Sequence, residues 1–265
     1  MSIMFKLFLI EIEYQNRVLG LDIVRAIAIL SVVFYHGNFI IAKYFPGFPY
    51  LPIFDGVELF FVLSGFLIGT ILISIFEKEK EFNFSIILKF WKRRWLRTIP
   101  NYYLVILINI FTLFIISKIQ SGTSFIKFFS SFFKNTPLIN YFTFTQNLYS
   151  PHPWFFSSAW SLSVEEWFYL LLPLVLLILS YLLNNKLTKK QIIFFCILGF
   201  ILYFNCLRMI KAINIETENT IWWDMYFRKI VFMRLDAVMY GVLGAYTKYY
   251  YNNFWFKYKN HFFCL

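Results

Sequence analysis

The sequence predicts an all-α fold: a polytopic membrane helix bundle of about six transmembrane helices, with an irregular loop at the outer face. Three observations carry this reading. Hydrophobic residues make up 60% of the 265 positions, charged residues 15%, and mean hydropathy is +0.63, whereas roughly 25% of an average soluble domain is charged. Runs without Asp, Glu, Lys or Arg recur at about the 20-residue length that crosses a bilayer. The connections between them are too short to hold a soluble domain.

Taken in order, residues 1–20 read as a cytoplasmic interfacial arm. MSIMFKLFLI is followed by Glu11, Glu13 and Arg17, without the small-residue site that would mark a removable leader. Residues 21–250 form the membrane domain and 251–265 a cytoplasmic tail. The expected spans are 21–42, 59–76, 98–117, 167–185, 191–207 and about 230–247, the last interrupted by Arg234 and Asp236. Residues 135–164 carry no full charge, yet Pro137, Pro151 and Pro153 break any continuous helix there. Their Trp and Tyr content suits an outer-interface loop that dips into the bundle.

Charge sets the orientation. With the N-terminus inside, fifteen basic residues fall in inner segments and eight in outer ones, so both ends are expected in the cytoplasm. The net charge of +11 is spread between apolar runs rather than along one polar face, which argues for membrane topology and against nucleic-acid binding. Cys196, Cys206 and Cys264 have no metal-ligand spacing, and no metal site is expected.

The first span carries Asp22, Arg25 and His36. Arg25 and His36 are eleven positions apart, about 20° past three full helical turns, and so share one face roughly 16 Å apart. Asp22 is placed to pair with Arg25. An arginine in mid-span costs about 2.5–3.5 kcal/mol on insertion scales and belongs against protein or water. The plainer alternative is a topogenic Arg25 at the inner interface and a polar His36 at the outer one.

The remaining ionisable groups sort into two layers. His36, Asp55, Glu58, Glu165, Glu166, Arg234 and Asp236 fall near outer span ends; Lys89, Lys92, Arg93, Arg94 and Arg97 fall at the inner side. Each also has a plain structural role. Glu58 suits a helix N-terminus, Ser64 and Gly65 suit close helix packing, and the run KFWKRRWLR suits a topogenic patch as well as a phosphate site. Of the adjacent Glu165 and Glu166, only one is expected to face the core.

These residues resemble the membrane acyltransferase 3 family, integral-membrane O-acyltransferases of bacterial surface glycans. The likeness runs through LDIVRAIAILSVVFYH, DGVELFFVLSGFLI, KRRWLRTIP, FTQN, WSLSVEEWFYLLLP and MRLDAVMYGVLGA, in order from Leu19 to Ala245. It implies a bacterial inner-membrane enzyme that takes an acyl group from cytoplasmic acyl-CoA, usually acetyl-CoA, to a sugar hydroxyl at the outer face. By resemblance His36 is the principal catalytic residue, either as general base or through an acyl-histidine. Glu165 orients or balances it; Arg25, Arg93, Arg94 and Arg97 meet phosphates or the thioester carbonyl; Asp22, Glu58, Ser64, Trp160, Ser161 and Arg234 support the substrates.

Family members commonly have about ten spans against about six here, so a shortened, inactive or partner-dependent form, with a companion subunit supplying helices, is the first alternative. A transporter or flippase of a lipid-linked sugar is the second. No internal repeat of the kind common in transporters is visible.

Overall fold

The computed structural model describes residues 18–45, 55–119, 129–131, 133–134, 137–213 and 223–262. Residues 1–17 of the arm expected over 1–20, and Cys264, lie outside these residues, while Leu19 and Gly20 are already helical. Among the described residues are helices α1 (Leu19–Tyr44), α2 (Gly56–Lys78), α3 (Phe84–Ile119), the short α4 (Leu138–Phe142), α5 (Trp160–Leu183), α6 (Lys189–Ile213), α7 (Leu235–Tyr250) and α8 (Asn252–Phe262). α1, α2, α3, α5 and α6 are long and apolar enough to cross a membrane, which makes this a multi-pass membrane protein.

Local chemistry sets several helix ends. Asp55 caps α2, its side chain accepting from the Val57 amide at 3.1 Å. At the start of α6, Thr188 Oγ1 accepts from the Gln191 amide at 3.4 Å while Gln191 Oε1 accepts from the Thr188 amide at 2.9 Å. That reciprocal pair satisfies two of the orphan donors at the helix start. α3 is one 36-residue helix containing Pro100, about 54 Å long.

The sequence places the fourth span from 167, but α5 starts at Trp160. The uncharged loop before it is irregular, as expected: α4 is a five-residue helix and a 3-10 segment covers Trp154–Ala159. The sixth span is also shorter than 230–247 suggests. A 3-10 turn at Val231–Met233 breaks at Arg234, and α7 runs only from Leu235 to Tyr250. Beyond it, residues expected as a tail form α8, whose Trp255 ring stacks on Phe66 of α2 at 5.8 Å.

Short as it is, α7 is central. It packs chiefly against α2 and also meets α5 and α6; α3 joins through α5, and α1 joins through α2. The α2–α7 crossing brings backbone onto backbone. A Cβ added to Gly65 would lie 1.8 Å from the Val238 carbonyl oxygen, and one on Gly241 would lie 2.0 Å from that of Val62. Only glycine fits at such a crossing. Around it, Phe61, Ile68 and Leu72 of α2 meet Phe168 and Leu172 of α5, Ile192 and Ile197 of α6, and Val238 and Val242 of α7.

A second apolar cluster joins the upper part of α3 to the irregular loop through Tyr102, Ile106, Tyr141 and Phe155. Hydrogen bonds tie this region in. Tyr102 Oη donates to the Tyr141 carbonyl at 2.9 Å, and Asn147 Nδ2 to the Trp160 and Lys229 carbonyls at 3.2 and 2.8 Å.

The glycine contact yields a direct test. Gly65→Val or Gly241→Val is expected to lower stability by at least about 2 kcal/mol, the scale of a core overpacked by more than it can absorb. Gly199→Ala meets nothing within 4 Å and is expected to be neutral or slightly stabilising through helix propensity. Thermal unfolding of purified variants measures both, and equal melting temperatures for the two classes would disprove the backbone contact.

Candidate active site

Among the described residues, the sequence-predicted site residues fall in three polar groups. The deepest lies where α2, α3 and α5 meet. Tyr169 Oη donates to Glu165 Oε2 at 2.8 Å and accepts from Arg94 Nη2 at 2.5 Å. Ser64 Oγ bonds the same phenol, so one tyrosine oxygen joins three helices. The Arg94 guanidinium also stands 4.3 Å over the Tyr169 ring and 4.0 Å from Glu165. Beside it Thr98 Oγ1 donates to Glu166 Oε1 at 2.9 Å. Trp91 Nε1 fixes α3 against α5 by donating to the Tyr169 carbonyl at 3.0 Å.

This geometry revises the two-layer expectation. Arg94, assigned to the inner face, and Glu165, assigned to the outer one, form an ion pair. The reason is helix extent. α3 begins at Phe84, which lifts Arg94 about 15 Å along its axis, and the early start of α5 carries Glu165 more than a turn into the bundle. Both adjacent glutamates are engaged, Glu165 with Tyr169 and Arg94, Glu166 with Thr98. The expectation that only one of them faces the core is therefore overturned.

Arg93, Arg94 and Arg97 are brought together. With Lys89 they line a cavity of about 340 Å³ between α2 and α3, whose other walls include Ile68, Ile71 and Phe90, with Glu79 at its edge. Phe90, Arg93 and Arg97 follow the i, i+3, i+7 spacing of one helical face. The cavity is thus cationic on one side and aliphatic on the other, which suits an anion carried on an apolar arm.

The second cluster ties the start of α2 to the approach to α7. Glu58 pairs with Arg234, and Asp55 with Arg228. Arg228 lies 3.9 Å from Glu58, 2.7 Å from Asp224, and 5.1 Å over the Trp160 ring. Burial pushes the Asp224 carboxyl up, but bonds from Lys229 and Arg228 outweigh it and hold the group below its ordinary value. Nearby His152 is pushed down to about 4 by burial and by Lys229, against the pull of Asp224. Arg234 and Asp236, two residues apart, part company: Asp236 is 2% exposed and pairs with Arg208 of α6. Ser161 is half-buried next to Trp160.

The third group is on α1. Asp22 accepts from Arg25 at 3.0 Å, with both side chains about two-fifths exposed. His36 is exposed, and its described ring contact is edge-on with Tyr35 at 5.4 Å. Ala28 and Ser31 form the buried stripe against α2, and Arg25 and His36 lie on one flank of it, about 60–80° round from Ala28. The shared face expected from the spacing is present. Among the described residues, however, His36 does not meet Glu165.

Sequence reasoning passed over Tyr169, Thr98, Asp224 and Arg228. Tyr169 had a readable signal, a hydroxyl four residues after Glu165 on an otherwise apolar helix. In the Arg228 network the Asp224 pair carried the same four-residue spacing, whereas the links to Asp55 and Glu58 had no signal because those partners lie far away in the chain.

The acyltransferase domain family matches residues 18–265. The peptidoglycan O-acetyltransferase OatA of Listeria monocytogenes is 36% identical over 186 residues, covering 68% of this chain and 27% of that protein. The O-acetyltransferase OatA of Staphylococcus aureus is 35% identical over 179 residues, 65% of this chain and 27% of the relative. The chain therefore spans about a quarter of the length of these relatives. No solved structure matches it. A bundle of long apolar helices with paired charges inside it, matched along nearly all its length by one family, identifies the chain as a member of the membrane acyltransferase 3 family.

Proposed function

We propose that this chain is the membrane part of a cell-wall O-acetyltransferase, moving an acetyl group from acetyl-CoA to a sugar hydroxyl of the peptidoglycan class. The observation that carries the reading is the cavity walled by Lys89, Arg93, Arg94 and Arg97 on one side and Ile68 and Ile71 on the other. A coenzyme A thioester carries its phosphates at one end of a long, flexible arm in which amides alternate with short aliphatic stretches. Guanidinium forks match its phosphates, and the lining includes Arg94, the cation bonded to Tyr169 and Glu165. In the same reading the protein sits in the bacterial inner membrane with both termini cytoplasmic, which puts the basic start of α3 on the coenzyme's side.

In the transfer, the acceptor oxygen attacks the thioester carbonyl, the carbon–sulfur bond breaks, and the hydroxyl proton passes to a base as the coenzyme thiol leaves. The family resemblance assigns that base to His36, with Arg25 on the same flank of α1 to stabilise the developing oxyanion. An acyl-histidine route uses the same atoms in two steps. The half-exposed Arg25–Asp22 pair argues that protein or water covers this flank, since bare lipid would leave it unsolvated. A companion helix or subunit over α1 is therefore part of the proposal.

Two outcomes follow. His36→Ala and Arg25→Ala variants that still insert are expected to lose acetyl transfer by about 10²-fold or more, the scale of a positioned base; transfer at the parental rate in a labile-ester assay of cell-wall glycan would end the mechanism. Arg97→Ala leaves the Tyr169 cluster intact and is expected to raise the KM for acetyl-CoA about tenfold, Arg94→Ala more so, with little change in acceptor KM. Equal shifts in both constants would count against a phosphate-binding role.

A further inference from the structure

A second cavity, of about 380 Å³ and with no arginine in its lining, lies between α3, α5 and the turn after α4. Trp95 and Tyr103 of α3, Phe142 and Phe144 of the turn, and Trp167 of α5 line it. Two hydroxyls, Thr143 and Thr145, also line it and are bonded to each other at 2.9 Å. At its inner side is Glu166, only 4% exposed. Thr98 satisfies Oε1, while Oε2 makes no hydrogen bond of good geometry, with Trp95 of the cavity wall the side chain near the carboxylate.

The turn is built with some care. Phe144 has φ of 57°, the left-handed region that a bulky side chain rarely occupies. It is held there by its ring, stacked on Tyr102 at 4.6 Å, and by its carbonyl, which accepts from Trp167 Nε1 at 2.9 Å. Tyr103 Oη fixes the neighbouring Phe142 carbonyl at 3.0 Å. Strained backbone that is over-determined in this way concentrates at ligand sites.

We infer that this aromatic cavity is a binding site for one sugar ring, with the Glu166 carboxylate taking a ring hydroxyl. Flat aromatic walls match the apolar C–H faces of a pyranose, and a few polar groups fix its orientation. A hydroxyl both donates and accepts, so it satisfies the free oxygen of Glu166 in either protonation state. The terminal torsion of a glutamate is broad, so turning that oxygen toward the cavity needs no backbone movement. A lipid chain filling the same space would leave it unpaired. The inference rests on the proposed function for the class of sugar, a peptidoglycan unit, and places that unit one residue along α5 from the Glu165–Arg94 pair.

The test is a titration of the full chain in lipid nanodiscs, free of sugar-headed detergent and of any acyl donor, with the N-acetylglucosamine–N-acetylmuramic acid disaccharide as probe. Tryptophan fluorescence is expected to saturate. Glu166→Met, of similar length but without an oxygen to bond a hydroxyl, is expected to weaken binding about tenfold, and Trp95→Leu by a similar factor. Absence of saturable binding, or affinities within twofold of the parent in both variants, overturns the site. So does quenching by brominated lipid that the disaccharide fails to relieve, which would mean that lipid fills the cavity. Because no donor is present, a failure of acetyl transfer leaves this result readable, and a failure here leaves transfer intact.

Discussion

The structure depends first on the contact between α2 and α7, where Gly65 and Gly241 let two backbones touch. In a bilayer no hydrophobic force separates protein from lipid tails, so helices associate by close packing and by polar bonds. This contact fixes α2 relative to the rest of the bundle. Ser64, one residue before Gly65, then faces Tyr169, and Glu58, two turns earlier, faces Arg234 at the mouth of α7. The two polar clusters are thus consequences of one apolar crossing, set at different heights on the same helix.

The second constraint is that charges taken into the membrane come with partners. Arg94 has Glu165 and the Tyr169 phenol, Arg208 has Asp236 and Asn205, and Arg234 has Glu58. A buried pair of this kind adds little net stability over apolar packing, whereas breaking one by removing a partner is costly. Its use is positional. Each pair joins helices far apart in the chain and leaves few alternative registers for them, while Lys89, Arg93 and Arg97, which form no such buried pair among the described residues, define the cationic wall of a cavity.

Much of this was legible in the sequence. Apolar run lengths gave the long helices, three prolines gave the break over 135–164, and Ser64, Arg94 and Glu165 could be singled out individually. Their joining could not, because it depends on where helices begin. α5 starts at Trp160 without any side-chain cap, inside an uncharged aromatic stretch where periodicity gives no signal. α7 starts after Arg234 because the arginine and Asp236 find partners on two other helices, and pairings of that range leave no local trace. The glycine crossing was visible only as small residues; that they touch is a property of the assembled bundle. His36 shows the converse case: its register with Arg25 was legible, and its setting on an exposed flank was not.

The length of α3 has a consequence for the surrounding lipid. At about 54 Å it exceeds a hydrocarbon core of about 30 Å, and Arg93 and Arg97 are exposed well above its start. The roughly 24 Å left over is enough for the stretch from Phe84 to Arg97, which sets these guanidiniums among the headgroups, where they draw anionic lipid and water toward the helix. The mouth of the cationic cavity would then open among headgroups rather than onto a bare surface. Bilayer thickness becomes a variable that acts on the entrance itself, so the same chain would present a wider or narrower doorway in thin and thick membranes.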